Sequence, residues 1–150
     1  MISWICKKFD ELTAAELYAC LQLRNEVFVV EQNCVFQDAD DKDQYCYHFM
    51  AWEEKKMIAY TRIVPPGICY AEISIGRVVT SPSVRHRGLG RELMQKSINM
   101  SFSLFNNASA IKIGAQLYLK KFYESFGFVQ CSDIYLEDGI KHVKMLLQKK

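Results

Sequence analysis

The chain has 150 residues, of which 50% are hydrophobic and 24% charged, so it can form one compact domain with a sizeable core. Its formal net charge of +2 is too small to mark a nucleic-acid-binding or membrane-surface protein. No apolar run approaches a membrane span, and the opening residues MISWICKKFDEL place lysines after apolar residues, unlike a secretory signal. We therefore expect a single domain over residues 1–150, located in the cytoplasm.

The cysteine spacing does not indicate a disulfide framework or a C-x-x-C motif. None of them makes a C-x-x-C pair, and several lie in apolar runs, where a thiol packs as a small hydrophobic group. We predict that all six are reduced and are buried or half-buried: Cys6, Cys20, Cys34, Cys46, Cys69 and Cys131.

The N-terminal region predicts a short strand over 2–9 and then a helix. Thr13 and Glu16 have the T-x-x-E spacing of a capping box, which marks the start of the helix. Apolar residues then recur at helical spacing and predict the buried face: Leu17, Cys20, Leu21 and Phe28.

Residues 32–45 predict a long acidic loop. Its segment QDADDKD holds four aspartates, which a calcium loop would use, but the positions of the EF-hand glycine and glutamate hold Asp43 and Phe49. Cys46 and His48 lack two further ligands nearby for zinc. We therefore predict no metal site.

The central region predicts a meander of three strands. HFMAWEE and KMIAYTRIV are joined by the charged turn 53–56, and PPG at 65–67 separates them from the β-branched run 70–80. A helix over 88–104 and a strand over 108–116 follow, so the strands at 70–80 and 108–116 should be parallel with a right-handed crossover.

The last elements are a short helix in YLKKFYESF, which Gly127 ends, and two strands, FVQCSDIYLE (128–137) and IKHVKMLLQ, joined at Asp138-Gly139. The whole order predicts an α/β (α+β) fold: a mixed, mostly antiparallel sheet with one parallel β-α-β unit, flanked by helices. The boundary between the run 70–80 and the next helix then lies at a carboxyl edge of the sheet, where such folds bind ligands.

The stretch SVRHRGLGRELM, residues 83–94, occupies this boundary. Its glycines allow the backbone to approach a ligand, and its arginines surround a helix N-terminus, which favours phosphate. The pattern R-x-x-G-x-G is neither a Walker A loop nor the dinucleotide fingerprint, whose third glycine position holds Leu93. From these residues alone, a phosphate site and a charged surface turn both remain open.

Two motifs resemble the GNAT N-acetyltransferases, which use acetyl-coenzyme A (acetyl-CoA). VVTSPSVRHRGLGRELM resembles their strand, [QR]-x-x-G-x-[GA] loop and helix, and FYESFGF at 122–128 resembles their later F-Y-x-x-x-G-F element. The ElaA-like branch is similar over nearly the whole chain, in LRNEVFVVEQNCVFQDAD, IGRVVTSPSVR, GAQLYLKKFYESFGF and YLEDGIKHVKM.

This resemblance implies the GNAT fold, in which the two parallel strands separate and admit the pantetheine arm. It implies that the loop backbone binds the pyrophosphate, through Arg85, His86, Arg87, Gly88, Leu89 and Gly90, with Arg91 close behind. It also implies strand-like pairing of pantetheine with the backbone of Val78, Val79 and Thr80. His86 and Gln116 replace a glycine and a cofactor-binding asparagine found in many members.

The resemblance further implies direct attack of an amine on acetyl-CoA in a ternary complex, with Tyr123 as the general acid. An amine with a pKa near 10.4 is about 0.1% neutral near pH 7.4, so a base or ordered water must remove its proton. Our candidate base is Glu72, with Glu31 and His142 as alternatives. We expect the acceptor site to include Arg24, Glu31, His142 and the acidic loop. The four acids favour a cationic acceptor, and a merely solvated loop is the alternative.

Two other functions stay open at this point. Acyl-homoserine-lactone synthases share the architecture and an R-x-x-V-F pattern, here Arg24, Val27 and Phe28, and a non-catalytic coenzyme A sensor would use the same loop. The expected partner is a small-molecule or peptide amine, with neither nucleic acid nor membrane, because the basic residues lack interleaved stacking aromatics. A homodimer is compatible with the sequence, which gives no oligomeric state.

Overall fold

The structure is a computed structural model that describes all 150 residues. The first half contains helix α1 (Ala14–Arg24) and a π-helical segment (Asn25–Glu31) that continues it. The helices of the second half are α2 (Leu89–Leu104) and α3 (Lys120–Glu124). The strands are β1 (Ile2–Lys8), β2 (Tyr47–Glu53), β3 (Lys56–Val64), β4 (Ser74–Thr80), β5 (Ala110–Gln116), β6 (Val129–Gln130), β7 (Tyr135–Glu137) and β8 (Ile140–Gln148).

The strands form two sheets. The first has the order β1-β2-β3-β4, and the second has the order β5-β8-β6, with β7 also paired to β8; every pair within a sheet is antiparallel. The sheets meet at one parallel bridge between Ile73 and Ile111, where the Lys112 N–H donates to the Ile73 carbonyl at 2.8 Å. The bridge confirms that the two strands run parallel, and beyond it β4 and β5 are unpaired, as the resemblance implied.

A β-bulge in β4 lies just past the bridge. Tyr60 of β3 pairs with Val79, but Arg62 pairs with Gly76, so β4 carries an extra residue opposite Thr61. Arg77 takes a left-handed backbone conformation there, with φ of +51°. A bulge bends its strand, and this one lies where β4 is no longer paired with β5.

The helices cover the two faces of the first sheet. α2 packs on one face in the larger core, which also takes in Ile111 and Ile113 of β5 and Tyr123 of α3. α1 packs on the other face, where Cys20 and Leu23 contact a smaller core around Met50 and Tyr60. None of the helices is long and apolar enough to cross a membrane.

The predicted helix start, helix end and hairpin turn are confirmed. Thr13 Oγ1 accepts from the Glu16 N–H at 3.1 Å, and the Thr13 N–H donates to the Glu16 carboxylate at 2.8 Å, which completes the capping box. Gly127 has φ of +104°, and Asp138 and Gly139 both have positive φ in the last hairpin.

Several predicted boundaries and burials were wrong. The buried face of the first helix includes Leu23 and Arg24, while Leu17, Leu21 and Phe28 are only half-buried. The predicted strand 70–80 begins at Ser74. The predicted strand 128–137 is divided into β6 and β7, because the Ser132 hydroxyl accepts from the Lys144 N–H and takes the chain out of the ladder.

The cysteines are all free, as predicted, but two are more exposed than expected. Cys69 and Cys131 lie on the surface, since each belongs to an irregular segment between strands rather than to an apolar strand interior.

Candidate active site

The loop before α2 is anchored by apolar side chains and open on its outer side. A 3-10 turn over Pro82–Arg87 buries Val84, and Gly88 with φ of +70° leads into the buried Leu89. A Cβ added to Gly88 or Gly90 would meet nothing within 4 Å. The N-terminus of a 16-residue helix therefore faces open space, which suits a phosphate group.

The arginines of this loop are held by surface partners. Arg85 makes a bidentate pair with Glu31 at 2.6 Å, and Arg87 makes one with Glu53 at 2.8–2.9 Å. Hydrogen bonds from Arg85 lower the pKa of Glu31. Exposed pairs of this kind contribute little stability, so an incoming pyrophosphate can compete for the guanidinium groups. Glu31 thus lies beside the loop, and its place in the acceptor site stays a prediction.

Arg91 lies on the first turn of α2 and faces α3. It donates to the Ser125 hydroxyl at 2.9 Å, and its guanidinium lies 4.6 Å from the centre of the Phe126 ring. His86 is exposed on the loop between Arg85 and Arg87.

The cleft between β4 and β5 begins at the Ile73 bridge and opens toward the loop. Val79 and Thr80 pair with β3 on one edge, and their other edge has no strand partner. An unpaired edge of this kind accepts an added strand-like segment, such as the amides of pantetheine. Val78 precedes them on the same edge, and Gln116 stands at the open end of β5, with its amide 3.5 Å from Gln32.

Tyr123 of α3 packs in the core beside this cleft. Its ring contacts Phe122 and Phe128 in edge-to-face geometry, and only 6% of the residue is exposed. Burial raises its pKa to about 12, so the hydroxyl stays protonated at neutral pH. No protein group hydrogen-bonds this hydroxyl, and its oxygen is not fully enclosed. It is therefore a free donor with access to solvent-filled space.

Of the two candidate bases, His142 lies at the open end of the cleft, and Glu72 lies just outside its closed end. Glu72 is half-buried one residue before the bridge, and strand alternation points it away from the core side that Ile73 occupies. His142 of β8 pairs directly with Gln116 at the open end and is 6% exposed. Its Nδ1 lies 2.8 Å from the Ile140 carbonyl, so a neutral ring donating there leaves Nε2 as the acceptor.

The acidic loop does not offer its carboxylates to a ligand. Asp38, Asp40 and Asp43 alternate with arginines in a closed circuit, which we call the arginine–aspartate ring: Arg24, Asp38, Arg77, Asp40, Arg62 and Asp43, with nitrogen–oxygen distances of 2.8–3.4 Å. Asp41 alone stays outside the ring and exposed. The expectation that the loop's acids attract a cationic acceptor is therefore corrected, since three positive charges already neutralise three negative ones.

Arg24 is also corrected as an acceptor-binding residue. Only 1% of it is exposed, and its guanidinium donates to Asp38 at 2.8 Å and to Asp43 at 2.9 Å. Burial would raise the pKa of Asp40, but hydrogen bonds and charge from Arg62 and Arg77 outweigh it and hold that pKa well below its usual range. The ring joins α1, β3, the β4 bulge and the loop into one unit.

Known proteins resemble this chain over its whole length. The family described as an acetyltransferase (GNAT) domain matches residues 14–149. Protein ElaA of Escherichia coli is 39% identical over 147 residues, covering 97% of this chain and 95% of ElaA, and its crystal structure superimposes with a TM-score of 0.91. The structure of an acyl-CoA N-acyltransferase from Pseudomonas aeruginosa is 40% identical, with a TM-score of 0.93 over 98% of this chain and 99% of that one.

More distant structures share the fold alone. A coenzyme A-dependent acyl-homoserine lactone synthase has a TM-score of 0.77 over 99% of this chain and 82% of its own, at 16% identity. The full-length matches at 38–40% identity, together with the glycine–arginine loop, the open edge of β4 and the matched domain, lead to one conclusion. The chain belongs to the GNAT acetyltransferase family, in the group that includes ElaA.

Proposed function

We propose that this protein is an N-acetyltransferase that uses acetyl-CoA and a primary amine, both bound at once. The observation that carries the proposal is the unpaired edge of β4 running into the glycine–arginine loop at the N-terminus of α2. The unpaired edge of β4 suits the peptide-like arm of the cosubstrate, and the loop at the N-terminus of α2 suits its pyrophosphate.

The residues that would hold acetyl-CoA follow from this arrangement. The backbone from Arg85 to Gly90 and the Arg91 guanidinium would face the pyrophosphate, while the backbone of 78–80 would pair with the arm. When bound, acetyl-CoA supplies the acetyl group as a thioester. The side chain of Gln116 would contact the arm from the opposite strand.

Tyr123 acts in this proposal as the general acid. Its hydroxyl is protonated, unpaired and partly accessible, so it can donate to the sulfur as the carbon–sulfur bond breaks. A positioned acid or base of this kind contributes about 100- to 10,000-fold to a rate. The surrounding phenylalanines hold the ring and exclude water from it.

The acceptor amine must lose a proton before it attacks. Our candidate base is Glu72, which lies just outside the closed end of the cleft. His142 is a second candidate because it pairs with Gln116 at the open end, where its Nε2 lies 3.7 Å from the Glu137 carboxylate. Glu72→Gln and His142→Gln separate the two: the variant of the true base loses most of kcat, and its acetyl-CoA affinity stays unchanged.

The proposal is tested by release of free coenzyme A thiol from acetyl-CoA across a panel of amines, with binding of acetyl-CoA measured by calorimetry. We expect amine-dependent release by the wild type. Binding without any amine-dependent release would instead favour a coenzyme A sensor.

A further inference from the structure

One face of the second sheet is not covered by a helix. On β5, Ile111 and Ile113 point into the core, so Lys112, Gly114 and Gln116 point to the opposite face. Gly114 is exposed there, because α1 packs against the first sheet only and no helix crosses this face of β5. On the neighbouring strand, Lys144 pairs with Gly114.

Two tyrosine hydroxyls converge over Gly114. A Cβ added to Gly114 would lie 2.9 Å from the Tyr135 hydroxyl and 3.5 Å from the Tyr70 hydroxyl. Neither hydroxyl has a hydrogen-bond partner in the protein. Burial raises the pKa of Tyr70 to about 12 and also raises the pKa of Tyr135. Both hydroxyls are therefore protonated donors without acceptors.

Two lysines complete this group. Lys112 Nζ lies 5.2 Å from the centre of the Tyr70 ring, and Lys144 Nζ lies 5.5 Å from Tyr70 and 5.8 Å from Tyr135. Neither lysine forms an ion pair. The ammonium groups already occupy the positions over the rings that a cationic ligand would need.

The Glu137 carboxylate adds to burial in raising the pKa values of Tyr70 and Tyr135, but it forms no ion pair with Lys112 or Lys144. Glu137 has a side chain that is 60% exposed, and it lies 3.7 Å from His142 rather than beside either lysine. The surface around Gly114 thus presents two hydroxyls and two ammonium groups, and neither lysine there is paired with a carboxylate.

We infer that Tyr70, Lys112, Tyr135 and Lys144 bind an anionic group, a carboxylate or a phosphate, carried by a small amine acceptor. The inference rests on the proposed function, because it assigns the site to the acceptor of that reaction. Gly114 stands two residues before Gln116, about 7 Å along the strand. An anion over Gly114 therefore leaves an amine a few bonds away beside Gln116 and His142, at the open end of the cleft.

The experiment compares amines in matched pairs. β-Alanine and β-alaninamide test a carboxylate, phosphoethanolamine and ethanolamine test a phosphate, and spermidine tests a cationic acceptor. The rate constant kcat/KM is measured for each amine, and calorimetry measures binding of each amine and of acetyl-CoA to the same protein. The site variants are Tyr70→Phe and Lys144→Gln, and the control variants are Tyr18→Phe and Lys141→Gln.

We expect one anionic amine to exceed its neutral partner about tenfold to a hundredfold in kcat/KM, the range that hydrogen bonds to a charged group produce. Tyr70→Phe and Lys144→Gln should remove most of that preference by lowering kcat/KM for the anionic amine. Tyr18→Phe and Lys141→Gln should retain it.

The inference is overturned if neutral amines or spermidine react as well as the anionic ones. It is also overturned if acetyl-CoA binds and no anionic amine is acetylated or bound. Failure of acetyl-CoA to bind is a different result, since it removes the proposed function itself.

Discussion

Tyr123 shows how burial prepares a side chain for donation. Its ring is fixed by Phe122 and Phe128, and burial raises its pKa, which keeps the proton on the hydroxyl. The same burial makes the hydroxyl a weak acid, so its role is greatest while the sulfur carries developing negative charge. A tyrosine in an aromatic segment is more often a core residue. Here the ring is packed in the core, and the hydroxyl has no hydrogen-bond partner.

Tyr123→Phe keeps this packing and removes only the hydroxyl. We expect kcat to fall about 100-fold or more, because the departing sulfur loses its donor, with little change in acetyl-CoA affinity or stability. Steady-state kinetics and calorimetry check the two parts, with Tyr18→Phe as the control. Unchanged turnover would exclude Tyr123 as the general acid.

Gly88 carries the conformation of the phosphate loop. With φ of +70°, it lies where a β-branched side chain is strained and where asparagine is tolerated. Gly88→Val should therefore lower stability by about 1–2 kcal/mol and weaken acetyl-CoA binding more than tenfold. Gly88→Asn should preserve both. Equal affinities of the two variants, measured by calorimetry, would show that the left-handed turn is unimportant for binding.

Among the elements, the acidic loop has the most specific structural role. The arginine–aspartate ring fastens it to α1, β3 and the β4 bulge, and Arg77 is held in its left-handed conformation with two ring contacts to Asp38 and Asp40. The ring thus supports the bulge where β4 is no longer paired with β5.

Removing the Asp43 carboxylate from the ring takes one ion-pair partner away from both Arg24 and Arg62. Asp43→Asn should lower the free energy of unfolding by about 2–3 kcal/mol, below the 3–5 kcal/mol of a fully buried pair because Asp43 keeps some exposure. Asp41→Asn, outside the ring, should be neutral. Urea unfolding measures both, and equal losses would contradict the role given to the ring.

The ring also predicts acid sensitivity. Asp40 and Asp43 have pKa values lowered in the folded state, so each contributes stability that is fully present above its unfolded pKa, near 3.9. That stability is lost as the pH falls through the folded values. Urea midpoints between pH 7 and pH 2.5 should fall less steeply for Asp40→Asn than for the wild type, and identical profiles would count against the ion pairs.

The local elements were readable from the sequence, and the long-range contacts were not. The capping box at Thr13 and the hairpin at Asp138-Gly139 depend on neighbouring residues, so short patterns predicted them. The ring joins aspartates at 38–43 to arginines at 24, 62 and 77. Helix and strand periodicity does not predict ion pairs between residues so far apart in the sequence. Tyr70 and Tyr135 likewise meet over Gly114 only after the two sheets assemble.

For the molecule as a whole, function follows from two sheets that touch at one bridge and then separate. The bridge at Ile73 closes one end of the cleft, and the loop before α2 marks the other. The family resemblance implied this separation, and the β4 bulge lies where the two strands are no longer paired. The face of β5 and β8 that no helix covers borders the same cleft, which places an acceptor surface beside the cosubstrate.

The most direct test of this account is thermal unfolding of the wild type with acetyl-CoA, ATP or NAD. A ligand at 100 times its Kd stabilises the folded state by about 2.7 kcal/mol, which corresponds to roughly 5–10 °C for a chain of this size. We predict a shift of this size with acetyl-CoA and none of comparable size with ATP or NAD. A shift with ATP and none with acetyl-CoA would contradict the assignment of the loop and cleft.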